Sequence, residues 1–369
     1  MRDKTIDVFF ALMRAGLWEK EVRLLPYQDI QWQNVYRLAA EQSVLGLVLA
    51  GLEHSDLKPP QKLLLQWIGE VQQIEQRNKA MNCFVAELID RLRKQKVYCL
   101  LIKGQGIAQC YERPNWRNSG DIDLLLDDVN YDKAKNYMLS CSTSHQKEMI
   151  EDKHFEFSVN QWIVELHGDL PSHLSKKIDK TLRNIQDETF QYQKVRKWKN
   201  EGLTVFIPDP NNDVIFVFTH ILKHFFRGGI GIRQICDWCR LLWTYKDEYD
   251  IVLLEKRLKR MGLISEWKAF ASFVFNYLNM PVEALPLYSD ASTWKWKADR
   301  ILSFIMETGN FGHNRDTSYY FKYPLLVQKI ISFWRHNSDI LKYFCIFPVD
   351  SIKVWVRMLS EGIAEFKKF

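Results

Sequence analysis

Two aspartates open the segment GDIDLLL, which spans residues 120–126. Asp121 and Asp123 lie at the start of a short apolar run, and that run predicts a buried strand. Residues two apart point to the same face of a strand, so both carboxylates share one face. Because like charges this close repel each other, we expect either a cation between them or one protonated carboxyl group.

A turn that suits phosphate lies upstream of the aspartates. The apolar run VYCLLI predicts a strand and GIAQCYE a short helix, so the sequence KGQG, from Lys103 to Gly106, forms the turn between them. Small residues at such a turn allow backbone N–H groups to approach an anion, and Lys103 adds a positive charge. Arg117 and Ser119 carry donors that suit phosphate oxygens. The segment therefore predicts a phosphate-binding site.

A third carboxylate would complete an oxygen-rich metal site. Glu165 lies in the alternating segment WIVELHG, and the preceding HFEFSVN predicts the other strand of a hairpin. Carboxylates combined with substrate phosphates are the ligands that Mg²⁺ prefers, and Mn²⁺ accepts the same set. We therefore expect Asp121, Asp123 and Glu165 to hold one or two Mg²⁺ ions. Glu156, on the other hairpin strand, is the alternative third ligand.

Three histidines have spacings that allow functional roles. His167 shares the face of Glu165 by the two-residue period, which predicts either a contact to phosphate or substrate or a hydrogen bond within the end of the sheet. His220 and His224 lie four residues apart on a predicted helix. Packing or a phosphate contact is favoured over a zinc site for this pair, because no glutamate completes an H-E-x-x-H motif.

The helix predicted for GIRQICDWCRLLW carries two further pairs. Arg233 and Asp237 are four residues apart, which predicts an ion pair along the helix. Cys236 and Cys239 form a C-x-x-C with no second pair nearby, so two small core residues are favoured over a metal site.

The elements that position these residues fall into three regions. Residues 1–80 carry apolar residues at helical spacing, residues 81–207 mix short strands and helices, and residues 208–369, which begin at the break PDPNND, are helical again. The expected fold is therefore α+β, with a small mixed β-sheet core flanked by N-terminal and C-terminal helical regions. The segments FQYQKVR and LTVFI are expected to complete the small sheet.

The composition restricts the class of protein. A hydrophobic content of 47% and a charged content of 26% are typical of a folded soluble protein, and no apolar run reaches the roughly 18 residues of a membrane span. The net charge of +6 permits an anionic nucleotide, and no Lys/Arg block indicates a nucleic-acid binder. Seven scattered cysteines, an odd number, argue against a disulfide framework and predict a cytoplasmic setting.

The motifs together resemble the nucleotidyltransferase superfamily with the polymerase-β-like core. KG followed by RNSGDIDLLL, VELHGDL and HILKHFF…GIRQICDW looks like the uncharacterised bacterial nucleotidyltransferase family, and is more distantly similar to the nucleotidyltransferase toxins of abortive-infection type. The motif-bearing resemblance covers roughly residues 97–242.

This resemblance implies a Mg²⁺-dependent transfer of a nucleoside monophosphate from a nucleoside triphosphate, such as ATP, to a hydroxyl acceptor, with release of pyrophosphate. It implies that Asp121, Asp123 and Glu165 bind the metal and act in catalysis, with Glu165 also a candidate general base. The residues expected to bind the nucleotide are Lys103, Gly104, Gln105, Arg117, Ser119 and His167.

Gln105 departs from the Gly-Gly or Gly-Ser turn of many superfamily members. Because a bulky side chain there would weaken or redirect the phosphate contact, the alternative is a non-catalytic nucleotide-binding regulatory or interaction protein on the same fold. The acceptor can be a protein, RNA or a small molecule, and the mild net charge weighs slightly against a large RNA footprint.

Overall fold

The computed structural model describes residues 4–312, 314 and 322–366. A helical region, a small mixed sheet and a second helical region follow one another, which confirms the predicted α+β class. The segments QKLLLQWIGEVQQIEQ and NCFVAELIDRLRKQ each predict a helix, but the structure joins them in one helix of 34 residues. The helices before the first strand are α1 (Lys4–Trp18), α2 (Trp32–Glu41), α3 (Leu45–Glu53) and α4 (Gln61–Lys94).

A five-stranded sheet forms the centre of the described chain, in the order β1-β2-β5-β4-β3. Strands β2 and β5 are parallel and the other neighbours are antiparallel. The predicted hairpin of HFEFSVN and WIVELHG is confirmed, and the short edge strand β3 was not expected. The strands are β1 (Leu100–Ile102), β2 (Ile122–Leu125), β3 (Ser144–His145), β4 (His154–Val159) and β5 (Trp162–His167).

The sheet has one apolar face and one face that carries the acidic residues. Ile122 and Leu124 of β2 belong to the core formed with helix α4 and the helix after β2, whereas Asp123 points to the other face. The helix after β2 begins at Asp128 because the side chain of the preceding Asp127 accepts a hydrogen bond from the Asn130 backbone N–H. The helices within this region are α5 (Gly104–Ala108), α6 (Asp128–Cys141) and α7 (Lys176–Gln191).

The prediction that FQYQKVR and LTVFI complete this sheet is wrong. The first residues of FQYQKVR end helix α7, and β6 (Val195–Asn200) pairs antiparallel with β7 (Leu203–Pro208) as a separate two-stranded sheet. Glu201 and Gly202 both have positive φ, as a tight two-residue hairpin turn requires, so this pair closes locally.

The C-terminal region is helical. Its first helix begins at Pro210, directly after Asp209, whose side chain caps the helix by accepting a hydrogen bond from the Asn212 backbone N–H. Along the part of the chain that the structure describes, no helix is both long and apolar enough to cross a membrane. The helices are α8 (Pro210–Arg227), α9 (Ile232–Thr244), α10 (Ile251–Met261), α11 (Ile264–Leu278), α12 (Ser292–Thr308), α13 (Leu325–Ile346) and α14 (Pro348–Phe366).

The three predicted regions keep their order, while their boundaries stay a prediction. Helix α4 runs across residue 80 without a break, and strand β7 ends at Pro208. Cys236 and Cys239 are fully buried on α9, as expected of core residues, and all seven cysteines are free.

A buried carboxyl group on α11 makes stability in this region depend on pH. Burial, together with the neighbouring Asp350 carboxyl group, raises the pKa of Glu266 well above its usual range. At pH values between the unfolded and the folded pKa, Glu266 is protonated in the folded protein and ionised in the unfolded chain. The free energy of unfolding therefore falls as pH rises above about 4.3. Replacing Glu266 with Gln should remove this fall, which is about 1.4 kcal/mol for each pH unit between the two pKa values.

Denaturant unfolding of both proteins at pH 5 and pH 8 measures the effect. Glu266→Gln should gain stability over the wild type at pH 8 and much less at pH 5. The exposed Glu283→Gln is the control and should leave the pH profile unchanged. Parallel pH profiles for wild type and Glu266→Gln would contradict a neutral Glu266.

Candidate active site

The three predicted carboxylates lie together at one end of the parallel strand pair. Asp123 is the register partner of Glu165 on the neighbouring strand, and Asp121 immediately precedes β2. Oxygen atoms of these three side chains lie within 4.8 Å of one another. Glu156 pairs with Glu165 from the far side, one strand further from the aspartates, and accepts a hydrogen bond from Gln146. The register therefore favours Glu165 as the third carboxylate, although its role stays a prediction.

The repulsion between the two aspartates is relieved in two ways. Lys103 Nζ lies 2.8 Å from Asp123 Oδ1. Burial acts to raise the pKa of Asp123, but Lys103 and a hydrogen bond from His167 outweigh it, so the pKa is lowered. The neighbouring Asp123 charge, aided by burial, raises the pKa of Asp121 to about 6. Both a nearby cation and a carboxyl group that protonates readily are therefore present.

The donor set fits a hard divalent cation. Three carboxylates share this end of the sheet, and Lys103 is the lysine that pairs with one of them. The raised pKa of Asp121 indicates negative charge that Lys103 does not fully neutralise. Because Mg²⁺ prefers oxygen ligands and usually keeps open positions for water and substrate phosphates, Asp121, Asp123 and Glu165 are suitable ligands.

Two histidines border the carboxylates. His167 Nε2 lies 2.8 Å from Asp123 Oδ1 and 3.3 Å from Glu165 Oε2, and His154 Nε2 lies 3.0 Å from the same Glu165 oxygen. Because an ionised carboxylate only accepts hydrogen bonds, both Nε2 atoms act as donors here. These two hydrogen bonds outweigh burial and lower the pKa of Glu165. A carboxylate with a lowered pKa is a weak proton acceptor, which disfavours Glu165 as a general base.

His154 was not singled out from the sequence, although a signal for it was present. Asn160 and Gln161 are the two residues between β4 and β5. A two-residue hairpin loop fixes the register of its strands, and this register pairs His154 with His167. The predicted hairpin and the length of its loop together would have predicted that His154 lies beside His167.

Basic and imidazole side chains on α8 and α9 line a cleft of about 450 Å³ together with the carboxylates. His220 Nε2 and His224 Nε2 are 3.1 Å apart, and burial lowers the pKa of His224 to about 4 and that of His220 well below its usual range. Both rings are therefore neutral near pH 7. Burial, together with the Lys103 charge, also lowers the pKa of Lys223, which forms no ion pair within the described chain.

Arg117 and Ser119 are engaged with the protein. Arg117 donates from Nε and Nη2 to the two oxygens of Asp237, both at 2.7 Å, and from Nη1 to Ser119 Oγ at 2.9 Å. The predicted ion pair between Arg233 and Asp237 is wrong, because Arg233 donates to the Asn118 backbone oxygen instead. Arg117 and Asp237, which are 120 residues apart in the sequence, form a buried bidentate ion pair. The phosphate contacts expected of Arg117 and Ser119 stay a prediction.

Gln105 points away from the cleft. Its side chain is 2% exposed and donates to Asn78 Oδ1, while Asn78 Nδ2 donates to the Asn115 and Arg117 backbone oxygens. The amide side chain therefore ties the turn to α4. Gly104 borders the cleft and has a φ of +37°, a backbone conformation that residues other than glycine rarely adopt.

Comparison with known proteins identifies one family. The model of the uncharacterised nucleotidyltransferase family matches residues 28–275, which include the sheet, the three carboxylates and helices α8 and α9. Neither the search of curated proteins nor the search of solved structures gives a match.

Proposed function

The chain belongs to the uncharacterised nucleotidyltransferase family, and from this premise we propose that it is a Mg²⁺-dependent enzyme that transfers a nucleoside monophosphate. A hydroxyl acceptor, on a protein, RNA or a small molecule, attacks the α-phosphorus of a nucleoside triphosphate and pyrophosphate leaves. The observation that carries the proposal is the cluster of Asp121, Asp123 and Glu165 in a cleft whose other wall is basic. We also keep the cytoplasmic setting as part of the proposal.

The opposed charges of the cleft suit a metal-bound triphosphate. The carboxylates would hold Mg²⁺, which when bound lowers the pKa of an attacking hydroxyl and stabilises the leaving oxygen. Lys103 and Lys223 face one cleft, and the Lys103 charge contributes to the lowered pKa of Lys223, so an anion between them relieves their repulsion. We propose that both lysines neutralise phosphate charge during transfer.

Arg117 has a different part in this proposal. Its Nε, Nη1 and Nη2 atoms already donate to Asp237, Ser119 and the Asn118 backbone oxygen, and its backbone lies shortly before Asp121 in the chain. We therefore assign it to positioning the aspartate loop. The neutral imidazoles of His220 and His224 line the cleft without adding charge to it.

The non-catalytic alternative depended on a bulky Gln105 in the glycine turn. That side chain is buried against Asn78 and does not line the cleft. Gln105 therefore does not obstruct phosphate binding in the cleft, and catalysis is the function that we propose.

Calorimetric titration tests the proposal directly. ATP, GTP, CTP and UTP are titrated with and without Mg²⁺ into wild type and into Asp121→Asn/Asp123→Asn. We expect Mg²⁺-dependent binding by the wild type and its loss in the double variant, because the amides cannot hold the metal. Asp127→Asn is the control, since asparagine also caps a helix.

The outcomes separate the candidate functions. Mg²⁺-dependent binding that the double variant loses supports the carboxylate site. Binding that is followed by no transfer to protein, RNA or small hydroxyl compounds supports the non-catalytic alternative. No binding of any triphosphate to the wild type would overturn nucleotide use by this chain.

A further inference from the structure

We propose that His154, Glu165 and His167 form a second metal position, which takes a borderline transition-metal ion of the Zn²⁺ class in preference to Mg²⁺. One ring nitrogen of each histidine and a Glu165 oxygen lie within 4.8 Å of one another. The position shares Glu165 with the proposed Mg²⁺ site but differs from it in chemistry, because it supplies two nitrogens and one oxygen.

The backbone places these three side chains together with little freedom. His154 begins β4 and pairs in register with His167 at the end of β5, and Glu165 lies two residues before His167 on the same face. All three line the cleft and are largely buried, with side-chain exposures of 20% for His154, 19% for Glu165 and 10% for His167. The backbone therefore brings the three ligand side chains to one position that opens to the cleft.

The separations match those of bound ligands. The Glu165 oxygen is 3.0 Å from His154 Nε2 and 3.3 Å from His167 Nε2. For a metal about 2.1 Å from each donor atom, those separations of 3.0 Å and 3.3 Å correspond to angles of about 90° and 105° at the metal. The two rings are stacked, with centroids 4.7 Å apart and an angle of 15° between planes. Binding requires the rings to tilt towards each other, a rotation that the broad second torsion of histidine allows.

The ligand types select the metal. Imidazole nitrogen binds Zn²⁺ well, whereas Mg²⁺ prefers oxygen ligands. Two histidines and one glutamate are a ligand set of catalytic zinc sites, which keep a further position for water or substrate. The neighbouring Asp121 and Asp123 carboxylates remain the oxygen-only position, so this end of the sheet offers two positions of different preference.

Metal titration of the nucleotide-free protein tests this inference separately from the proposed function. Zn²⁺, Mg²⁺ and Co²⁺ are titrated into wild type and His154→Gln, and the visible absorption of Co²⁺ reports nitrogen ligation. Glutamine keeps a donor for Glu165 but is a poor zinc ligand. We expect His154→Gln to lose at least tenfold in Zn²⁺ affinity, the loss that even an outer-shell change causes, and to alter the Co²⁺ spectrum.

Two controls test whether the effect is specific to this position and to Zn²⁺. His54→Ala removes a histidine that also pairs with a glutamate, Glu19, at 2.7 Å, and should leave Zn²⁺ affinity and the Co²⁺ spectrum unchanged. His154→Gln should keep the Mg²⁺ affinity of the wild type, whereas Asp121→Asn should reduce it. An unchanged Co²⁺ spectrum in His154→Gln, or equal losses of Zn²⁺ and Mg²⁺ affinity, would overturn the second position. Failure of nucleotide binding alone would affect only the proposed function.

Discussion

Replacing Asp123 with Asn should abolish nucleotidyl transfer while the protein stays folded. Asp123 lies between Asp121 and Glu165, so the amide removes the central carboxylate from the proposed Mg²⁺ site. Metal ions supply several kcal/mol of transition-state stabilisation, and each 1.36 kcal/mol is a factor of ten in rate. We therefore expect a loss of about 10³-fold or more, measured as transfer of label from an α-phosphate-labelled triphosphate to protein, RNA and small hydroxyl compounds.

The same substitution four residues further along is a matched control. Asp127→Asn keeps the N-cap of α6 and lies outside the carboxylate cluster, so it should keep wild-type transfer and stability. Thermal unfolding of Asp123→Asn checks that the fold persists. Lys103 and His167 lose one charged partner but keep other carboxylates nearby, Asp121 and Glu165 for Lys103 and Glu165 for His167, which predicts a modest fall in the unfolding midpoint. Full transfer by a folded Asp123→Asn would refute the role of this aspartate.

The sheet was predictable from the sequence because its signals are local. The apolar run after Asp123 and the two-residue alternation around Glu165 each specify a strand within a few positions. The hairpin with its two-residue loop then leaves few alternatives for the register. Parallel pairing of β2 with β5 joins segments about 40 residues apart, and the expected metal site required the two strands to be neighbours. The family resemblance supplied that step.

Long-range polar contacts were not predictable in the same way. Helical spacing predicted an ion pair between Arg233 and Asp237. A buried carboxylate is stabilised most by a partner that makes two short hydrogen bonds to it, and Arg117 does so from another part of the chain. The separate sheet of β6 and β7 was missed for a related reason. Strand propensity identifies such strands but not their partners, and here a tight turn pairs β6 with β7.

Replacing Asp237 with Asn should destabilise the protein more than most single substitutions. Arg117 and Asp237 are both buried, and Asp237 also accepts a hydrogen bond from the Tyr111 hydroxyl. The amide leaves the Arg117 charge without its counter-ion, a change that costs about 3–5 kcal/mol at buried ion pairs. Thermal or denaturant unfolding measures the loss. Glu188→Gln is the control and should cost less than about 1 kcal/mol, because Glu188 is partly exposed and Arg257 keeps other acceptors.

A double variant separates positioning from a direct phosphate contact. In Arg117→Met/Asp237→Met the Arg117 charge is removed together with its counter-ion, and exchange of a buried pair for apolar side chains is often neutral. We expect stability to recover relative to Asp237→Asn. If Arg117 acts only through its buried pair with Asp237, whose hold on the loop before Asp121 apolar packing can replace, triphosphate affinity should recover along with stability. Recovered stability with affinity still lost would instead show that the Arg117 guanidinium meets the phosphates, as the family resemblance implied, and would place Arg117 among the nucleotide-binding residues.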